Sequence, residues 1–216
     1  MPLSLTLCIE DSFSAVADFS VAMIFGEAES IRLEKIKNER RKRESLSGLI
    51  ALKKALGKSD ASDIVRDANG RPCFVGGGID FSISHSGRLA AACVADDALA
   101  RVGIDLERMD EKKSEFNRRI ADRYFTESER EQIRLSSDAE TFYRIWTAKE
   151  AVAKLDGRGL LEVISGREDI SLFRADIRQF FVTCQGERYV LTIACSEIYE
   201  LRVLCAEGIT LSGEIL

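Results

Sequence analysis

Asp105 and Glu107 stand two apart in VGIDLE, and Glu150 and Lys154 stand four apart in WTAKEAVAK. On a strand, side chains two apart share a face, so both acids of the first pair project together with Cα atoms roughly 7 Å apart. Unit charges at that distance repel by about 2 kcal/mol at an effective dielectric of about 20, and a cation between them reverses the sign. Magnesium takes carboxylate oxygens and completes its shell with waters and substrate phosphates. The pair therefore suits metal-assisted phosphate chemistry; an exposed strand face with two solvated acids fits the same spacing. On a helix, Trp146, Glu150 and Lys154 share one face. The plain reading is a surface ion pair beside a core tryptophan, and the chemical one is a third carboxylate with an ammonium near a phosphate.

His85 is the single histidine. A regular strand puts it on the face of Phe81 and Ile83, which favours a buried structural role. Its place at a turn between Ser84 and Ser86 favours contact with a ligand. Glu129 follows Thr126 by three, the spacing of a capping box. The ten Lys/Arg against three Glu within residues 32–58 fit either a solvated helix face or a local site for a small polyanion.

The elements that must hold these residues follow from periodicity and punctuation. MPLSLTLCIE reads as a first strand rather than a secretion leader. The spacing predicts a helix from Ile31 to Leu56 with Gly57 as its stop. DANGRP (67–72) is a turn. FSISHSGRLAAACVADD reads as strand, turn and strand, and VGIDLE as another strand. Helical periodicity then runs to about Asp156, stopping at Gly157. ISLF, the two arms of QFFVTCQGERYVLTIACSE and ELRVLCA read as strands, with a hairpin turn at Gln185-Gly186. Two segments each run strand, glycine turn, strand after a helix stopped by glycine. The expected fold is α+β, with two similar lobes related by a pseudo-two-fold axis, each a small antiparallel sheet packed with a long helix. The lobes are residues 1–100 and 101–216.

Composition narrows the class. The chain is 45% hydrophobic and 31% charged, enough for a packed core. No apolar run approaches the roughly 20 residues of a membrane helix. A net charge of −5 argues against general nucleic-acid binding. The six cysteines lack C-x-x-C spacing and read as reduced core residues of a cytoplasmic protein.

In order, GRP (70–72), FSISHS (81–86), VGIDLE (102–107), the YFT-x-x-E run (124–129) and WTAKEAVAK (146–154) resemble the 4′-phosphopantetheinyl transferases, most of all the two-lobed type that activates peptide and polyketide synthetases. The resemblance implies that a carrier-protein serine attacks the β-phosphate of coenzyme A, and that adenosine 3′,5′-bisphosphate leaves. By the same resemblance Asp105, Glu107 and Glu150 are the magnesium ligands. Ser84 and His85 lie near the nucleotide's 3′-phosphate, and Arg71 is the basic residue before the proline. Lys154 stands at the pyrophosphate; Glu150, or Glu129 through water, deprotonates the serine. Arg40 is the first-lobe phosphate candidate, because Glu44 and Leu49 stand where relatives carry arginine; Ser82 replaces a frequent asparagine. The implied partners are coenzyme A and an acyl or peptidyl carrier protein, with no membrane or nucleic acid, and the implied state is a monomer. The carrier is expected near residues 112–135, where Lys112, Lys113, Phe116, Arg118 and Arg119 lie. A silent binding protein and a magnesium-dependent phosphohydrolase are the rival classes.

Overall fold

The computed structural model describes residues 3–15, 17–57, 63–136, 138–157 and 174–215. Strand β1 (Leu3–Asp11) leads into the short helices α1 (Val21–Phe25) and α2 (Glu27–Glu34) and the long helix α3 (Glu39–Leu56). After the small ribbon of β2 (Ile64–Arg66) and β3 (Pro72–Phe74) come β4 (Phe81–Ser86), β5 (Leu89–Ala95) and β6 (Val102–Arg108). Helices α4 (Ser114–Tyr124), α5 (Glu127–Leu135) and α6 (Glu140–Asp156) precede β7 (Asp176–Cys184), β8 (Glu187–Cys195), β9 (Tyr199–Cys205) and β10 (Ile209–Ile215).

The result is a mixed α+β fold with two four-stranded sheets, ordered β4-β5-β1-β9 and β10-β7-β8-β6. One apolar cluster draws Leu5, Leu7, Ile9, Leu89 and Cys93 from the first sheet and Ile104, Leu106, Leu191 and Ile193 from the second. The sheets therefore face each other. Leu49 and Leu52 of α3 pack with Cys8, Phe81 and Ala92 on the far side of the first sheet. Ala151, Val152 and Leu155 of α6 pack with Ala194 on the far side of the second. β5 is buried on both faces, which explains its unbroken run of small apolar residues.

Three expectations are corrected. The helix predicted over 31–56 is two helices: the Asn38 side chain accepts from the Arg41 backbone N at 3.0 Å and starts α3 afresh, as capping asparagines do. The first sheet is not wholly antiparallel, because β9 pairs parallel to β1, Leu201 opposite Leu5. It comes from the second half of the chain and covers the β1 edge that would otherwise stay unpaired. Strand β10 was not anticipated; its alternation is interrupted by a bulge between Ser212 and Glu214, at Gly213 with φ 59°. Four cysteines are buried as expected, but Cys73 is half-buried and Cys205 exposed. The predicted strand ISLF lies outside the described residues. No helix is long and apolar enough to cross a membrane among the described residues.

The feature that matters most for the site is the approach of α6 to β6. A Cβ on Gly103 would stand 2.0 Å from the Ala151 carbonyl oxygen and 2.5 Å from the Leu155 N. Only a residue without a side chain lets the helix lie this close to the strand. Asp105 and Glu107 follow Gly103 on the face turned toward α6, and Glu150 and Lys154 belong to that helix.

Candidate active site

β4 and β6 belong to different sheets and are joined by side chains. The Ser82 Oγ accepts from the Ile104 N (3.0 Å), Ser84 Oγ from the Leu106 N (3.2 Å) and Ser86 Oγ from the Arg108 N (3.0 Å). Three serines spaced by two thus satisfy alternate backbone donors along β6. The same hydroxyls aim the acids. Ser84 Oγ donates to Asp105 Oδ1 at 2.9 Å, and Ser86 Oγ donates to Glu107 Oε2 at 2.7 Å. FSISHS is therefore a strand whose polar face both bridges the sheets and orients two carboxylates. Sequence reasoning used Ser84 and overlooked the positioning parts of Ser82 and Ser86, although the period of two was visible.

Lys154 Nζ sits among these groups, donating to Asp105 Oδ1 (2.8 Å), the Ile104 carbonyl (2.9 Å) and Ser84 Oγ (3.2 Å). Burial lowers its pKa, but the charges of Asp105 and Glu150 outweigh that and leave it raised. It stays an ammonium. Asp105 is 4% exposed, and its Oδ2 is buried with no hydrogen-bond partner among the described residues. Glu107 is pushed up to about 7 by burial and then by the charge of Asp105. Glu150 is pushed up to about 8 by the same two causes in the same order. The three acids therefore feel one another. Among the described residues no three carboxylate, imidazole or thiol groups are gathered into a ready-made metal cluster. Lys154 supplies the positive charge beside Asp105 instead. An orphaned buried carboxylate oxygen next to two acids held partly protonated is a donor set that suits a hard cation.

Both folded-state values stand above the ordinary 4.5, which fixes the sign of their linkage. Their stabilising contribution is complete below pH 4.5 and is lost as pH rises through about 7 and 8. The stability of the metal-free protein relative to Glu150→Gln should fall across that window, by up to about 1.4 kcal/mol per pH unit. Magnesium should oppose the fall, because it binds the ionised form. Thermal denaturation at a series of pH values checks this; a difference that grows with pH contradicts it.

The other predicted residues fall into two groups. Arg71 is a structural hub. Its Nη1 and Nη2 grip Asp80 at 2.8 and 2.7 Å, its Nε donates to the Lys154 carbonyl at 2.8 Å, and Nη2 also reaches the Val102 carbonyl at 3.0 Å. Asp80 in turn accepts from the Val102 N at 2.8 Å. The pair ties the DANGRP turn to the end of α6 and the start of β6, and Asp80 was missed by sequence reasoning. Asn69 Nδ2 adds a bond to the Gly157 carbonyl at 2.6 Å. This turn walls a cavity of about 220 Å³ that Ser82, Ile83, Glu150 and Lys154 also line.

His85 is not buried: its side chain is 43% exposed. Nδ1 lies 3.9 Å from Glu44 Oε2, whose other oxygen accepts from Arg40 Nε at 2.8 Å. Desolvation of the enclosed part of the ring lowers its pKa, against the pull of Glu44. His85 and Arg40 thus both stand beside Glu44. Glu129 is held by Thr126 and Lys149. Its carboxylate accepts from the Thr126 N at 2.8 Å as part of a complete capping box and pairs with Lys149 at 2.9 Å. Lys149 is 1% exposed and lies over the Phe125 ring. Glu129 therefore fixes α5 against α6, and Lys149 is a second residue the sequence reading passed over.

Residues 101–206 match the family model of the 4′-phosphopantetheinyl transferase superfamily. The chain is 32% identical over 124 residues to the 4′-phosphopantetheinyl transferase AcpT of Salmonella typhimurium, covering 56% of this chain and 62% of that one. It is 36% identical over 96 residues to the 4′-phosphopantetheinyl transferase gsp of Aneurinibacillus migulanus, covering 42% and 36%. With the 4′-phosphopantetheinyl transferase Sfp of Bacillus subtilis the identity is 35% over 95 residues, covering 42% and 39%. The chain thus spans less than two thirds of the length of these relatives. The segment 101–206 that matches the 4′-phosphopantetheinyl transferase superfamily carries Asp105, Glu107, Glu150 and Lys154, and the relatives similar to this chain are 4′-phosphopantetheinyl transferases.

Proposed function

We propose that this protein transfers 4′-phosphopantetheine from coenzyme A to a serine of an acyl or peptidyl carrier protein in a magnesium-dependent reaction. The observation that carries the reading is the convergence of the Asp105 carboxylate, with its unpartnered buried oxygen, and the Lys154 ammonium in the segment matched by the family model. The serine oxygen forms a bond to the β-phosphorus, the bond from that phosphorus to the bridging oxygen breaks, and adenosine 3′,5′-bisphosphate departs. Magnesium held by Asp105, Glu107 and Glu150 would supply charge neutralisation at the pyrophosphate. Lys154 adds a fixed positive charge there. Glu150 is the proton acceptor for the serine hydroxyl, a weak nucleophile without a base. Glu129 is spent on Thr126 and Lys149, which favours a positioning part over a catalytic one.

Coenzyme A lies against the DANGRP turn, Ser84 and His85 in this reading, with Arg40 at the rim. Arg71 works by holding that turn, since its guanidinium is engaged by Asp80. The lobes are residues 1–100 and 101–216, related by a pseudo-two-fold axis, with β9 returning to complete the first sheet. The carrier meets the surface near residues 112–135, where Phe116 is exposed among basic residues. The protein acts in the cytoplasm as a monomer.

The test is intact-mass spectrometry of apo peptide-synthetase, polyketide and fatty-acid carriers incubated with the protein, magnesium and coenzyme A. One phosphopantetheine should be added to at least one carrier, and chelation should stop the reaction. No gain on any carrier sinks the proposal. Release of phosphopantetheine without a carrier replaces it with a hydrolase.

A further inference from the structure

Phe13 follows β1 and stands 65% exposed, yet it is held in place. The guanidinium of Arg43 on α3 lies 5.1 Å from its ring centroid, and that of Arg88, in the turn before β5, lies 5.2 Å from it. Both cations are attracted to the ring. The turn beneath it is tied down as well. The Asp11 carboxylate accepts from the Phe13 N at 3.0 Å and from Arg88 Nη2 at 2.6 Å. Ser12 donates to the Arg88 carbonyl through both its N and its Oγ, each at 2.7 Å. The Ala15 N closes on the Asp11 carbonyl at 2.8 Å. Backbone and cations together fix a large apolar side chain in water, so it has little ordering entropy left to lose on meeting a partner.

The patch borders the acid site. Arg88 is two residues past Ser86, which aims Glu107. A Cβ on Gly87, between them, would stand 3.2 Å from Cδ of Arg108, the residue after Glu107. Arg43 precedes Glu44, whose Oε2 lies 3.9 Å from His85 Nδ1. Arg88 Nη1 also donates to Gln185, and the next residue, Gly186, lines an open cleft of about 810 Å³ with Arg108 and Lys112. A chain of contacts thus runs from Phe13 through Arg88 and Gln185 to the cleft that reaches Lys112, where the proposed carrier surface begins. Arg88 shares its charge with Asp11, whereas Arg43 makes no ion pair among the described residues. The surface therefore offers an aromatic ring beside an unneutralised guanidinium. Its complement is an apolar side chain beside a carboxylate, and aromatic and arginine side chains are the usual anchors of such contacts.

We propose that Phe13 and Arg43 form a second docking point for the carrier protein, on the first lobe, which takes an acidic segment bearing an exposed apolar side chain. This rests on the transferase reading. The serine is delivered to the acids by a body too large to enter the site, and contact near residues 112–135 alone leaves that body free to pivot. A grip from the other lobe fixes its approach. The test is steady-state transfer to a carrier that gains mass in the assay above, with carrier and then coenzyme A as the varied substrate. Phe13→Ala should raise the KM for the carrier about tenfold, the scale of one anchor truncated at an interface. Phe13→Glu, which sets a like charge against the acidic segment, should raise it further. In both, kcat and the KM for coenzyme A should stay within about twofold of the unaltered protein, since the ring makes no contact with the acids. Phe13→Trp, which keeps an aromatic ring between the arginines, should restore the carrier KM. Arg43→Gln should raise the carrier KM and flatten its dependence on salt. An unchanged carrier KM in Phe13→Ala and Phe13→Glu, with transfer by the unaltered protein intact, overturns the docking point alone. A rise in the coenzyme A KM instead assigns the ring to the nucleotide and overturns it too. Absence of transfer to every carrier is the failure of the transferase reading itself and takes the docking point with it.

Discussion

Asp105→Ala should reduce phosphopantetheine transfer by about 10³-fold or more, the scale seen when a group stabilising transition-state charge is removed. The site gives the reason. Asp105 holds Lys154 through Oδ1 at 2.8 Å and keeps Oδ2 free, so its loss removes a metal donor and the anchor of the ammonium together. Folding should survive, because Glu150 remains as a counter-charge to Lys154. A second readout separates this from general damage. The charge of Asp105 helps to raise both Glu107 and Glu150, so the variant should bring both acids down toward their ordinary values. The metal-free pH dependence of stability between about pH 4.5 and 8 should shrink accordingly. Retention of more than about a tenth of the activity, measured by carrier mass gain, would remove Asp105 from the proposed centre.

Gly103→Ala should be the most damaging single-methyl substitution for the fold. The new carbon would meet backbone on α6, at 2.0 Å from an oxygen and 2.5 Å from a nitrogen. Backbone cannot swing aside as a side chain can, so the helix must back away from β6 and open the core beneath it. A loss of about 3 kcal/mol or more is expected, read from urea denaturation midpoints. Gly48→Ala provides the contrast. There the new carbon meets only Ile83 Cγ2, at 2.7 Å, and a methyl group can turn. A Gly103 variant as stable as the Gly48 variant would show that the close approach is dispensable. Since Glu150 and Lys154 travel with α6, transfer should fall with stability in Gly103→Ala.

Much of the site could be read from spacing. Asp105 and Glu107 share a strand face, Glu150 and Lys154 share a helix face, and the capping box at Thr126 and Glu129 is realised in full. The hairpin at Gln185-Gly186 forms as its residues require, both with positive φ. What spacing could not give was the other half of each long-range contact. Nothing near Arg71 in the chain announces that Asp80 and the end of α6 will take its guanidinium. His85 was placed correctly on its strand, but its exposure depends on how α3 lies across the strand end. The break before α3 rested on a single capping side chain, Asn38, inside a run whose charge pattern continues unbroken. The serines of β4 were legible as a pattern and not as a function, because their partners are backbone groups of a strand in the other sheet.

The parallel pairing of β9 with β1 has a consequence for the order in which the molecule can be made. Translation delivers β1, β4 and β5 early, but the strand that covers the outer edge of β1 emerges only near residue 205. At about 5–20 residues per second, the ribosome takes roughly 5–20 s to bridge that interval. Throughout it the nascent first sheet displays an open strand edge, the template on which chains join wrongly. A product released after α6 would carry every proposed catalytic side chain and still lack this closing strand. Its fate should be capture by chaperones or precipitation, which makes the last strands of the chain a quality check on the acids that precede them.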